Sequence, residues 1–253
     1  METLVLTLAS LFAGFIDSIV GGGGLILVPA LFSVLPGTAP ATLLGTNKSA
    51  SVWGTAAAAA QFHRRVGLRW RNLLPAGVLA FAGSLAGAWA VTVVPGEFLR
   101  KLLPLILVAL LVYTLARKDM GVHHAPRFSG RAELLATATI GALLGVYDGF
   151  FGPGTGSFFV FLFVRLLGYD FLHASAAAKR LNTATNAAAL ALFAWTGHVW
   201  WHVAAVLAVA NVAGSLLGTR LALAKGAGFV RGVFIVVVSA LILKTAWDAF
   251  HGA

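Results

Sequence analysis

The chain has 253 residues, of which 59% are hydrophobic and 10% are charged, and its mean hydropathy is +0.91. An average soluble domain carries about 25% charged residues, so this composition excludes an ordinary soluble fold. The net charge of +10 lies in short loops between apolar segments, which is typical of a membrane protein and not of a nucleic-acid-binding face. The chain has no cysteine, so disulfides and thiolate metal sites are excluded.

The first half is predicted to contain five helical segments, at residues 3–20, 25–35, 41–62, 73–94 and 98–116. Glu2 stands where a signal peptide carries basic residues, so the first segment is interpreted as a retained span. The segment 25–35 is short, because as a helix it covers only about 17 Å of a hydrocarbon core of about 30 Å. It is either a half-helix that crosses with a broken partner or a re-entrant segment.

The second half repeats this order after a polar linker, with segments at residues 133–151, 157–167, 173–196, 199–223 and 229–249. We therefore predict a first membrane repeat at residues 1–116, a cytoplasmic linker at 117–131, and a second repeat at 132–253. The short segment 157–167 has the same two interpretations as its counterpart.

Three sequence matches between the halves share an offset of 131 positions. GFID at 14–17 matches GVYD at 145–148, AGSLAG at 82–87 matches AGSLLG at 213–218, and FLR at 98–100 matches FVR at 229–231. Between the first two matches we predict that the second half gains four residues, which pairs Asn47 with Asn182.

Loop charges predict how the repeats are related. The loop after the third segment holds four arginines in the first half, whereas its counterpart at 198–202 has no lysine or arginine, and the next pair of loops reverses this bias. Equivalent loops are therefore expected on opposite sides of the membrane. The predicted fold is an all-α polytopic membrane protein of two inverted repeats. It has about eight full spans plus the two short segments, or ten crossings if these span, and both termini are periplasmic.

Glycine-rich stretches interrupt both repeats, at residues 21–24 (Gly-Gly-Gly-Gly) and 152–156 (Gly-Pro-Gly-Thr-Gly). Glycine costs a helix about 1 kcal/mol and proline about 3 kcal/mol relative to alanine, so both helices are predicted to break inside the membrane. Such breaks either border a wet cavity, where the following helix N-terminus faces an anion, or allow tight helix packing. The substrate-binding candidates from these stretches are Gly22, Gly23, Gly24, Gly154, Thr155 and Gly156.

Asp17 and Asp148 precede the glycines by four residues, in otherwise apolar segments. A carboxylate at the centre of a membrane helix costs about 2.5 kcal/mol or more, so each is expected to face protein or water. They are interpreted either as coupling or gating carboxylates or as caps that accept N–H bonds from the broken helices.

A second group of polar residues adds binding candidates, namely Asn47, Lys48, Lys179, Asn182 and Asn186. With Thr38 as predicted N-cap and Pro40 in the first turn, Lys48 lies about 10 Å along its helix. The lysine either snorkels to the interface, or lies buried among amide and hydroxyl donors that suit an oxyanion without a competing carboxylate.

Histidines provide only weak candidates. His198 and His202 have the spacing of two metal ligands on one helical face, but Trp200 and Trp201 between them favour an interfacial aromatic belt. His124, in the linker next to His123, is expected to be solvated. We predict neither a metal site nor a cofactor.

The glycine motifs, TNK at 46–48, AKRLNTATN at 178–186 and AGSLLGTRLALAKG at 213–226 resemble the sulfite exporter TauE/SafE family, in particular its YfcA-like branch. The resemblance covers nearly the whole chain. It implies a bacterial inner-membrane transporter of a sulfur-containing or organic anion, such as sulfite, a sulfonate or sulfoacetate. The predicted partners are the lipid bilayer and a small anion, and proton coupling is one interpretation of Asp17 and Asp148. A membrane enzyme and an anion channel are the alternative functions.

Overall fold

The computed structural model describes residues 2–68, 70–93 and 124–251. Every regular element in these ranges is helical. The elements in chain order are α1 (Glu2–Val20), α2 (Gly24–Val34), α3 (Pro40–His63), α4 (Trp70–Val93), α5 (Gly130–Phe150), α6 (Thr155–Leu162), a π-helical turn (Phe163–Leu167), α7 (Phe171–Trp195) and α8 (Trp201–His251). The predicted segment 98–116 and linker residues 117–123 lie outside the described residues.

The described helices confirm the predicted order of segments. α8 contains two predicted segments, because Gly226 has left-handed backbone angles (φ 76°, ψ −169°) and separates residues 201–225 from 227–251. Both glycine stretches interrupt a helix as expected, since α1 ends at Val20 and α5 ends at Phe150. The predicted helix start at Thr38 is wrong, because Ala39 is the N-cap of α3 and Pro40 occupies its first turn.

Length and apolar character allow three described helices to cross a membrane by themselves: Glu2–Val20, Leu73–Val93 and Trp201–Val233. Their outward faces are apolar, with exposed side chains such as Leu8, Phe12 and Val209. α3 and α7 have 24 and 25 residues, which is about 36 Å of helix, but their centres are polar. A helix with buried polar groups in a membrane faces the protein interior. The number of crossings stays a prediction.

The main helix contacts join the two halves of the sequence. α1 packs along α8 and α4 packs along α5, while α3 and α7 contact each other at the centre. Glycine allows these approaches. A Cβ on Gly83 would lie 2.6 Å from the Ala142 carbonyl oxygen, and one on Gly214 would overlap the Leu11 carbonyl oxygen. The repeated motif at 82–87 and 213–218 is thus a small-residue packing surface.

Candidate functional site

The two broken helices meet at their glycines. A Cβ on Gly156 would lie only 2.7 Å from Cα of Gly21, and one on Gly24 would lie 3.2 Å from Cα of Pro153. Gly21 and Gly152 both have left-handed backbone angles, with φ of 80° and 87°. Glycine is therefore required here both for backbone conformation and for close approach. The same loops also line a cavity, so close helix packing and a cavity occur together at the glycine stretches.

Two buried lysines cross from one half to a carboxylate of the other. Nζ of Lys48 in α3 lies 2.7 Å from Oδ2 of Asp148 in α5, with side-chain exposures of 3% and 2%. Nζ of Lys179 in α7 lies 2.8 Å from Oδ2 of Asp17 in α1, with exposures of 0% and 14%. The lysines are 131 positions apart, as are the aspartates. The two ion pairs are thus equivalent under the repeat.

This geometry corrects the predicted register. The offset of 131 holds for the N-caps Ala39 and Asp170 and for the helix starts Trp70 and Trp201, as well as for both ion pairs. The four-residue insertion is therefore wrong, and Asn47 is not the counterpart of Asn182. Under the constant offset Asn182 corresponds to Ser51, because both follow the lysine of their half by three residues.

The structure excludes the snorkelling interpretation of Lys48 and corrects the expected surroundings of the lysines. Lys48 does not snorkel, because its side chain is buried against Asp148. The sequence predicted donors without a competing carboxylate, which is wrong, because each lysine has a carboxylate oxygen within 2.8 Å. Removal of one partner of a buried ion pair leaves an uncompensated charge and costs about 3–5 kcal/mol. Each lysine and aspartate is therefore needed to compensate the buried charge of its partner, in addition to lining or supporting the cavity.

The two carboxylates differ in their other contacts. The backbone N–H of Gly23 donates to Oδ1 of Asp17 over 3.1 Å, so Asp17 caps the broken helix as one interpretation expected. Asp148 accepts no such bond from the described residues, and its Oδ2 contact with Lys48 lacks the geometry of a directed hydrogen bond. A hydrogen bond to a charged group contributes about 1.5–3 kcal/mol. Asp17 is therefore held more firmly than Asp148.

A cavity of about 20 Å³ lies where the breaks and the two central helices meet. A water needs roughly 10–15 Å³ measured in this way, so the space holds about one water and not a polyatomic anion. The site is therefore closed to a polyatomic anion in this conformation. Its lining residues are Asp17, Gly22, Gly24, Asn47, Lys48, Ser51, Asp148, Gly152, Gly154, Thr155, Gly156, Asn182 and Asn186.

Most of the site residues predicted from the sequence line this cavity. Two predicted residues do not line it, and two lining residues were not predicted. Gly23 and Lys179 do not line the cavity; both contact Asp17 instead. Ser51 and Gly152 line it and were missed. Ser51 lies one helical turn after Asn47, and it is the counterpart of Asn182 at the offset of 131 positions. Applying that offset to Asn182 would have predicted Ser51 as a site residue.

The histidine predictions fare differently. His198 precedes the first residue of α8, Trp201, so His198 and His202 do not share one helical face. His124 is not simply solvated, because its ring stacks on His173 with centroids 4.0 Å apart. Among the described residues, the ligand atoms of His124, Asp170 and His173 lie within 4.8 Å of one another.

The contacts of Asp170 identify this histidine cluster as a helix cap. Asp170 accepts bonds from the His173 backbone N–H at 2.8 Å and from its ring at 2.7 Å. Burial alone would raise the pKa of Asp170, but these hydrogen bonds and the charge interactions with His173 and His124 together lower the pKa below its ordinary value. Burial and the neighbouring His173 lower the pKa of His124, against the opposing effect of Asp170 and Glu133. The cap thus favours a charged Asp170 and a neutral His124.

Apolar outer faces around a buried, charged centre define this chain as a polytopic α-helical membrane protein. Proteins of similar sequence are named as probable membrane transporters. The chain is 37% identical over 246 residues to a probable membrane transporter protein, ORF9, of Sinorhizobium, covering 97% of this chain and 93% of that one. It is 38% identical over 251 residues to the probable membrane transporter protein YfcA of Escherichia coli K12, covering 98% and 90%.

A probable membrane transporter protein of Haemophilus influenzae is 34% identical over 241 residues, covering 94% of this chain and 93% of that one. The family model described as sulfite exporter TauE/SafE matches residues 6–245. No solved structure matches the chain. The chain belongs to the sulfite exporter TauE/SafE family, and it is a membrane transporter.

Proposed function

We propose that this chain is a secondary transporter that moves a small sulfur-containing or organic anion by alternating access, without a catalytic step. Sulfite, sulfonates and sulfoacetate are the substrate types considered. One observation supports the proposal: two buried lysine–aspartate pairs from equivalent positions of the repeats meet at one small cavity between the helix breaks, which is lined by Lys48 and both aspartates.

The proposed anion site uses donors from both halves. Lys48 and Asn47 come from α3, and Asn182 and Asn186 come from α7, all buried. Ammonium and amide N–H groups suit an oxyanion, which accepts several hydrogen bonds. Backbone groups of Gly22, Gly24, Gly154 and Gly156 line the same space, as does Thr155. Lys179 and Gly23 support the site through Asp17.

The closed cavity supports alternating access. A space for about one water must enlarge before a polyatomic anion can enter. Each of the equivalent helix pairs α1–α8 and α4–α5 joins one helix from each half, and α8 and α4 pack against α3 and α7 at the centre. In transporters with inverted repeats, movement of one set of helices against the other exposes a central site to each side in turn. Asp17 and Asp148 are the proposed coupling or gating carboxylates.

The proposed setting is the bacterial cytoplasmic membrane. The arginine-rich loop after α3 is assigned to the cytoplasm, which puts both termini in the periplasm under the inverted topology. The partners are lipid, the anion and the proton. No cofactor or nucleic acid takes part.

Uptake into proteoliposomes tests the proposal. Purified full-length protein is reconstituted and assayed with sulfite, sulfate, thiosulfate, methanesulfonate, sulfoacetate and small carboxylates. We expect saturable uptake of at least one anion, and thermal stabilisation of the folded protein by the same anion, because a ligand that binds only the folded state stabilises it. Lys48→Ala and Asn182→Ala should reduce uptake in folded protein. Unchanged flux in both variants would refute the site.

Two further measurements address the alternative functions. A carrier accelerates the exchange of labelled anion for unlabelled anion across the membrane, whereas a channel shows neither saturation nor such counterflow. An enzyme that works through His198, His202 and the aspartates would need a metal site or an acid–base site. Stoichiometric zinc or iron in the purified protein would therefore count against a transporter without cofactor.

A further inference from the structure

The two ion pairs occupy equivalent positions but are not held in the same way, and this inequality assigns separate roles to them. The inference rests on the transporter function proposed above. It concerns which lysine turns to the anion and which carboxylate carries a proton.

Asp17 is held by donors at both oxygens. Lys179 donates to Oδ2 over 2.8 Å, and the backbone N–H of Gly23 donates to Oδ1 over 3.1 Å. Gly23 is the N-cap of α2 and has right-handed backbone angles (φ −55°, ψ −34°). If Lys179 moved away, Asp17 would keep one hydrogen bond and its partial exposure of 14%.

Asp148 depends on Lys48 alone among the described residues. The loop after α5 has Pro153 where the first half has Gly22, whose φ of 97° a proline ring cannot adopt, so the two loops follow different backbone paths. The counterpart of Gly23 is Gly154, which has left-handed angles (φ 85°, ψ −7°). No backbone N–H of this loop donates to Asp148. The prolyl loop therefore leaves this carboxylate without the cap that its counterpart has.

A proton must compensate Asp148 when Lys48 leaves it. The residue is 1% exposed, and an isolated buried carboxylate neutralises by taking up a proton because its charge is not solvated. The charged groups near the cavity are Lys48 from α3, Asp17 from α1 and Lys179 from α7. Tyr147, beside Asp148, donates its hydroxyl to the Pro153 carbonyl, so it does not replace Lys48.

We propose that Lys48 turns from Asp148 to the anion, that Asp148 takes up the proton, and that the Lys179–Asp17 pair stays closed throughout. The charges balance for a monoanion. The closed site holds two lysine cations and two carboxylates, and the loaded site holds two lysine cations, one carboxylate, one carboxylic acid and the anion. The proton comes from the aqueous side to which the site is open and leaves with the anion. Transport is one proton per monoanion and is electrically neutral.

Methanesulfonate is the probe for the flux experiment, because it stays a monoanion across the working pH range and any proton dependence then comes from the protein. The full-length chain is reconstituted in proteoliposomes, and accumulation is driven by an acidic outside. Asp148→Asn should lower gradient-driven accumulation at least about ten-fold while it retains exchange of labelled for unlabelled anion, since its neutral side chain resembles the protonated carboxyl.

Asp17→Asn is the matched variant. It should reduce the amount of folded protein, but the uptake that remains should still follow the pH gradient. Gradient dependence that survives in Asp148→Asn, or that is lost in Asp17→Asn instead, would overturn the assignment. A membrane potential clamped with valinomycin should not change the wild-type accumulation.

A labelling experiment tests the same assignment without flux. The chain has no cysteine, so Ser51→Cys at the cavity wall is a unique thiol. Its reaction with a maleimide should be at least about ten-fold faster when combined with Asp148→Asn, because the Lys48 contact is lost, and nearly unchanged with Asp17→Asn. Equal rates in the two backgrounds would contradict the inference even if methanesulfonate is transported. If no anion is transported, the proposed function fails while the labelling still decides which pair opens.

Discussion

The scaffold and the polar centre of this molecule follow the repeat to different degrees. In the scaffold, α1 on α8 and α4 on α5 use the same small-residue motif, offset by 131 positions. At the centre the lysines and aspartates keep that offset, but their surroundings differ. Gly22 is replaced by Pro153, and Ser51 by Asn182. The repeats share the packing, while the site is asymmetric at positions in and next to the cavity.

The largest expected effect is the loss of stability when either carboxylate of the ion pairs is removed, and the size of the loss should differ between Asp17 and Asp148. Removal of either one leaves a buried lysine unpaired and should cost about 3–5 kcal/mol. Asp17→Ala should cost more than Asp148→Ala, by about 1.5–3 kcal/mol, because it also removes the Gly23 hydrogen bond. Thermal unfolding of both variants in one detergent measures the difference. Equal losses would show that the inequality of the pairs has no energetic consequence.

Exchange of the charges in one pair sharpens the comparison. Lys48→Asp and Asp148→Lys should each destabilise the protein strongly, because each leaves two like charges in contact. The double variant restores opposite charges, so we expect a coupling free energy of about 1–3 kcal/mol in a double-mutant cycle. Transport should not recover, because the lysine would then lie on α5. Recovery of both properties would contradict the proposed role of Lys48.

The scaffold should respond equally in both halves. Gly87→Ala and Gly218→Ala place a Cβ against a neighbouring helix backbone, at Val146 and Phe15 respectively. Overpacking of this kind costs about 1–3 kcal/mol, so we expect similar losses of thermal stability. A loss confined to one variant would show that the halves differ in packing as well as in charge.

A smaller effect is expected at the cavity wall. Ser51→Ala and Asn182→Ala each remove side-chain polar atoms next to the site, and a neutral hydrogen bond contributes about 0.5–1.5 kcal/mol. We expect a weaker apparent affinity for the transported anion, up to about ten-fold, with little change in unfolding temperature. Asn182→Ser, which copies the first half, should lose less than Asn182→Ala. An equal loss would exclude a hydrogen-bonding role.

The smallest effect concerns the two equivalent N-caps. Ala39 cannot titrate, whereas Asp170 lies beside His124, whose pKa is lowered. Because the pKa of His124 is lowered in the folded chain, the unfolded chain binds more protons in acid. The free energy of unfolding therefore decreases as the pH falls below about 6.5. Acidification from pH 7 to 5 should lower the unfolding temperature slightly, and His124→Gln should reduce that shift. Scans at both pH values measure it.

The sequence alone predicted much of the fold and most of the candidate site. Apolar runs determined the helices, because a membrane segment must bury its backbone polar groups in its own hydrogen bonds. Helix-breaking glycines marked the two interruptions, and ionisable residues in apolar segments marked the centre. These signals are local, since each depends on the residues of one segment.

Partners and cavity shape were decided by the tertiary structure. The sequence indicated that Lys48, Lys179 and the two aspartates were important, but not that each lysine reaches the carboxylate of the opposite half. That pairing depends on how α3 and α7 pack between the broken helices. The difference between Gly23 and Gly154 likewise lies in backbone angles, which two glycines of equal freedom do not specify by themselves. Ion-pair energies depend on distance and burial, and both are properties of the folded chain.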